Sequence, residues 1–182
     1  KGAAGGAWKI SLLQAYDRVS NFKNYSYDDL KAIGATGLDV MNKSNVGDMA
    51  APKLTAFSLT PKTFDTTNSD QTVTINFTMS DDISGVCLPA NTPGGGGCTG
   101  PQTQATIQSV SAPDQYVHFY DIKKVSGDKY VATAVIKKGA AGGAWKISLL
   151  QAYDRVSNFK NYSYDDLKAI GATGLDVMNT AK

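Results

Sequence analysis

Aspartate and asparagine side chains in three turn-like stretches carry the oxygens with which this sequence can do chemistry. The stretch "SDDISG" holds Asp81 and Asp82, "YDRVSN" holds Asp154 and Asn158, and Asp48 stands just before "MAAPKL". Carboxylate and amide oxygens are hard ligands, and a calcium ion gathers about six to eight of them at roughly 2.3–2.6 Å. These five residues are therefore the candidate calcium ligands, provided that the fold brings them together. Aspartate and asparagine also close turns on their own backbone without a metal, so a plain-turn reading stands beside the metal one.

Nothing comparable points to catalysis. His118 is the only histidine and lies inside an alternating stretch with no nucleophile motif nearby, so the expectation is a structural histidine and no enzyme. "GAAGGA", at Gly2 and again at Gly139, has the glycine content of a phosphate loop, but a strand pattern follows it where a helix would be needed. The 18 basic and 16 acidic residues leave a net charge of +2 with no cluster of Lys or Arg. That argues against nucleic acid, which requires a concentrated basic surface. No apolar run approaches the roughly 18 residues of a membrane span, so no membrane insertion is expected in this segment.

Both cysteines, Cys87 and Cys98, bound the stretch "CLPANTPGGGGC". A zinc site would want four ligands, whereas a disulfide closing this Pro- and Gly-rich loop needs only the pair. A Cys87–Cys98 disulfide and an oxidising, extracellular home are the expectation.

The elements that must position these residues are strands. In "QTVTINFTMS", Val73, Ile75, Phe77 and Met79 alternate with Thr72, Thr74, Asn76 and Thr78, the period of a strand with one buried face. In "AWKISLLQAY" the same period puts Trp145, Ile147 and Leu149 together. Further strands read from Lys53, Ala105, Gln115, Lys129 and Gly174, with "QYVHFYDI" as one strand. "YSYDDLKAIG" predicts a helical turn, with Ser163 before an acidic pair, Leu167 and Ile170 three apart, and Gly171 closing it. The pattern predicts an all-β fold: an immunoglobulin-like Greek-key sandwich of about seven strands, with one short helical turn before the last.

The order "DMAAPKLTAFSLTPKTFD", "VTINFTMSDDISGV", "GGAWKISLLQAYDRVSNFKNYSYDDL" resembles the immunoglobulin-like tandem repeat domains of large bacterial surface and adhesin proteins. Ser157 stands where that pattern's last motif has glycine. The resemblance implies an extracellular, cell-surface structural module. The alternative is a carbohydrate-binding adhesin domain with Tyr116, Tyr120 and Tyr130 as an aromatic platform, although their alternation also reads as burial. In a Greek key the loops after the second and sixth strands share an end with the start of the first. Asp48, Asp81, Asp82, Asp154 and Asn158 are thus expected to converge at the joint with a preceding domain.

Residues 1–42 repeat residues 138–179 letter for letter, at an offset of 137. The unit is then 43–182, one complete repeat, and 1–42 is the C-terminal portion, its last two strands, of a preceding identical repeat. The expectation is a window on a tandem array. Two or three strands with one apolar face do not stand alone, so Trp8, Ile10 and Leu12 are expected to seek strand complementation. The expected partners are neighbouring copies of the same repeat, within one chain or as polymerised subunits.

Overall fold

In the computed structural model, which describes residues 3, 5–43, 47–89, 98, 100–174 and 176–181, the chain divides after Gly47 into two units. The first holds β1 (Gly6–Lys9), β2 (Leu12–Tyr16), β3 (Phe22–Ser26), α1 (Tyr27–Ala32) and β4 (Asp39–Asn42). Strands β1 and β4 pair antiparallel, as do β2 and β3. Helix α1 starts where the sequence places it. The Ser26 side chain accepts from the Asp29 N–H, and the Asp29 carboxylate accepts from the Ser26 N–H, a capping box that satisfies two N-terminal donors.

The second unit contains β5 (Lys53–Thr60), β6 (Thr63–Phe64), β7 (Gln71–Ser80), β8 (Gln104–Ser109), β9 (Tyr116–Phe119) and β10 (Ile122–Ser126). It continues with β11 (Lys129–Ile136), β12 (Gly143–Tyr153), β13 (Phe159–Ser163), α2 (Tyr164–Ala169) and β14 (Asp176–Asn179). One sheet runs β10-β11-β7-β5 and the other β6-β14-β12-β8-β9, with β13 beside β12. The two sheets enclose one apolar core, to which β7 gives Val73, Ile75, Phe77 and Met79 as its alternation predicts. The fold is all-β, as expected.

Three details differ from the sequence reading. First, "QYVHFYDI" is two strands in two sheets: β9 pairs with β8, and β10 pairs with β11. Phe119 and Ile122 are both buried and three residues apart, a spacing that one strand cannot provide on one face, so the chain turns at Tyr120 and Asp121. Second, β6, β10 and β13 raise the strand count of this unit above seven. Pro61, with no N–H to donate, ends the β5 ladder, and the chain then crosses to the other sheet as β6, parallel to β14.

Third, β12 carries a bulge. Against β8 its register shifts between Ile147 and Leu149, and an inserted residue swaps the faces beyond it. The buried face is therefore Trp145, Ile147, Leu150 and Ala152, each at most 1% exposed, while Leu149 is only half-buried. Strict alternation assigned Leu149 to that face.

The bulge supplies a test within one chain. Leu150 is 1% exposed and its sequence-equivalent Leu13 is 49% exposed. Leu150→Ala is expected to lower the unfolding free energy of the Asp48–Thr180 region by about 2–5 kcal/mol, and Leu13→Ala to leave it unchanged. Denaturant melts of both variants check this.

Candidate functional site

The strand order brings the turns after β7 and β12 to the end of the sandwich where β5 begins. There Asp48, Asp81 and Asp154 each place a carboxylate oxygen within 4.8 Å of the others. Asp48 and Asp154 are 4% and 1% exposed. Asp82 is exposed and stands outside this cluster. Asn158 joins it as a donor: its side-chain N–H groups reach Asp154 Oδ2 at 2.6 Å and the Asp48 carbonyl at 3.1 Å. Of the five sequence candidates, the structure brings four together.

Turn bonding explains most of this arrangement. Asp154 Oδ1 accepts from the N–H groups of Val156 and Asn158, and Ser157 takes the left-handed conformation at φ 72°. Asp17, Val19, Asn21 and Ser20 make the same turn in the first unit, where Asp17 is exposed. The turn is thus closed by its own residues. Asp48 accepts from the N–H groups of Ala50 and Ser84. Burial pushes its carboxyl upward, but these hydrogen bonds prevail and hold it below the usual carboxylate range.

Asp81 is the exception. Its Oδ1 accepts from the Gly85 N–H at 2.6 Å and the Ser84 hydroxyl at 3.3 Å, whereas its Oδ2 is buried with no partner. Burial first, and then the charges of Asp48 and Asp154, raise its pKa. A buried acceptor left unmade is costly. A proton on Oδ2, or a cation shared by the three carboxylates, would each relieve it.

The disulfide sits at the same end. Cys87 and Cys98 are bonded with Cα atoms 5.8 Å apart, as expected from the sequence. Cys87 is fully buried, and its N–H donates to the Tyr153 carbonyl next to Asp154. Residues 90–97 of the Gly-rich loop lie outside the described residues.

The aromatic candidates separate. Tyr130 is buried and stacks on Phe77 with ring centroids 5.2 Å apart, so it takes no part in a surface platform. Tyr116 and Tyr120 are 54% and 60% exposed, contrary to the burial that their alternation implied. His118 stands between them, with ring centroids 5.1 and 5.0 Å away, and its Nδ1 bonds the Thr106 hydroxyl at 2.8 Å. They line one face because alternate residues of β9 and the turn after it share a side, while Val117 and Phe119 face the core. On the same face, side-chain amides join three strands: Gln104 donates to Gln151, and Gln151 to Asn161. Sequence reasoning missed this amide row; its signal was glutamine and asparagine at outward positions of adjacent strands.

The first unit leaves the strand face of the repeated segment exposed, although its Leu30 and Leu38 are buried. Trp8 is 50% exposed and Ile10 44%, whereas their equivalents Trp145 and Ile147 are 1% and 0%. Leu12 corresponds to the half-buried Leu149, so by the register of β12 the third member of this face is Leu13. No protein-family model matches this chain, and no curated protein or solved structure matches it either.

The raised pKa of Asp81 has a definite stability consequence. The folded state holds this proton at pH values where the unfolded chain has released it, so the group destabilises the fold above its ordinary carboxylate pKa. The penalty fades as pH falls. Asp81→Asn is therefore expected to raise the thermal midpoint at pH 7, with a gain that shrinks steadily on acidification towards pH 4. Calorimetric scans of variant and parent across that range check it.

Proposed function

We propose that this chain is a non-enzymatic structural module of an extracellular tandem-repeat protein: a link in a bacterial cell-surface adhesin array or filament. One observation carries the reading. A segment of 42 residues occurs twice and folds twice into the same hairpin, capped helix and strand pair, yet the strand face that carries its tryptophan is covered only in the second place. A sequence whose burial needs a neighbouring copy is what a repeat array supplies.

Other features support the finer points. The order β10-β11-β7-β5 facing β14-β12-β8 favours the immunoglobulin-like Greek key, whose sheets run in the corresponding order. The Cys87–Cys98 bond favours an oxidising compartment. Among the described residues no helix is long and apolar enough to cross a membrane. The acidic cluster lies where the chain enters the second unit at Asp48, so a calcium ion there would stiffen that entry, and the orphaned Asp81 oxygen favours this reading.

A second reading, glycan binding by an adhesin domain, is favoured by exposed Tyr116 and Tyr120, with half-buried His118 between them, beside the row of amides. Aromatic faces and side-chain amides together suit a sugar's C–H and hydroxyl surfaces. A glycan screen without binding removes it.

Native material, boiled and reduced on a denaturing gel beside micrographs of the undenatured sample, tests the main reading. The expected result is a surface fraction with either a band of many repeats' mass or fibres that boil down to subunits of one or two repeats. A small intracellular species with no larger assembly would overturn it. For the joint, calcium at 100 times its Kd is expected to stabilise the parent by about 2.7 kcal/mol and to leave the thermal midpoint of Asp81→Asn unmoved.

A further inference from the structure

We infer that the exposed face of residues 3–43 is the donor half of a sandwich whose acceptor half is a second copy of segment 48–137. The inference rests on the tandem reading above and names the occupant of that face. The chain itself shows what covers this sequence. In residues 138–179, strand β12 adds to β8, Trp145 packs edge-on against Phe64, and the Tyr162 hydroxyl donates to the Pro52 carbonyl while accepting from the Leu54 N–H. All of these partners belong to 48–137.

Glycine positions report the same fit. At Gly174 a Cβ would collide with the Leu59 carbonyl, so this backbone is shaped to lie against β5. Its equivalent Gly37 has nearly the same φ, 71° against 70°, but meets no atom within 4 Å. At this turn the first unit already has the backbone conformation of the covered state.

Residues 48–181 do not supply that cover. Their one 48–137 segment is filled by residues 138–179. An exchange in which the first copy took that place is blocked by reach. Asn42 would have to occupy the position of Asn179, opposite Gly143, whereas Asp48 lies beside Asn158 at the other end of β12. Gly143 to Asp154 is eleven residues of strand, about 36 Å at roughly 3.3 Å per residue. Asp48 follows Asn42 by six residues, which span at most about 22 Å. The acceptor must therefore come from another copy.

The test uses the full chain and, as probe, a separate polypeptide of residues 48–137, diluted together from denaturant. The expected complex holds one probe per chain by light scattering. Trp8 and Trp145 are the only tryptophans, so quencher access should fall from one tryptophan to neither, with a blue shift in emission. Trp8→Asp should abolish capture while leaving the melt of the 48–181 region unchanged.

Three results would overturn the inference. They are no complex, capture that survives Trp8→Asp because the probe has instead displaced residues 48–137 from their own cover, and self-association of the full chain through Trp8 without probe. Native material without repeats would end the tandem reading alone, whereas failed capture would end this inference and leave that reading standing.

Discussion

Burial of one face of the 138–179 segment beneath strands from 48–137 is the interaction on which the rest of the second unit depends. Trp145, Ile147, Leu150 and Val177 meet a core that both sheets build, and apolar burial of this kind is the dominant favourable term in folding. Polar contacts then fix the register. Asn179 donates to the Thr66 hydroxyl and to the Ala140 and Ala141 carbonyls while accepting from the Thr66 N–H, all with only 1% exposure. Such a buried amide is stable only when its partners are present, so it ties the end of β14 to Thr66, just past β6, and to the turn before β12.

The repeated segment separates local from tertiary causes with unusual clarity. Both copies have the capping box, the hairpin register, the left-handed serine and the tyrosine-to-aspartate bond, 2.7 Å in one and 2.6 Å in the other. These depend on residues close in sequence and form with or without a cover. Strand continuity differs. Residues Gly143–Tyr153 are one strand paired with β8, whereas the same sequence forms two strands, β1 and β2, in the first unit. The segment that spans the bulge is held extended by its neighbour's ladder.

The end of the sandwich near Asp48 gathers the polar devices. Three carboxylates, the Asn158 amide and the Cys87 anchor all meet where the entering chain becomes β5. Loops held by a rigid scaffold are where a fold places function, and here the same loops also terminate the strands that carry them. The acidic turns are locally satisfied apart from Asp81, which makes that one side chain the point where the local turn and the assembled cluster are in conflict.

The sequence by itself determined the all-β class, the alternation of β7, the helical turn before the last strand, the disulfide pair and the repeat. Each rests on spacing, on a short-range hydrogen bond or on the count of two cysteines. It also named the three carboxylates that converge, Asp48, Asp81 and Asp154, because loop ends follow from strand order, but with them Asp82, which stays outside. Tertiary structure alone decided the bulge that exchanges Leu149 for Leu150, the break that sends Phe119 and Ile122 to different sheets, and the exposure of Tyr116 and Tyr120. Those outcomes depend on which strand lies alongside, and a period of two cannot show whether a face meets another sheet or water. The clearest case is Trp8 and Trp145: within the repeat their sequence neighbours are identical, and their burial differs because only one of them has segment 48–137 over it.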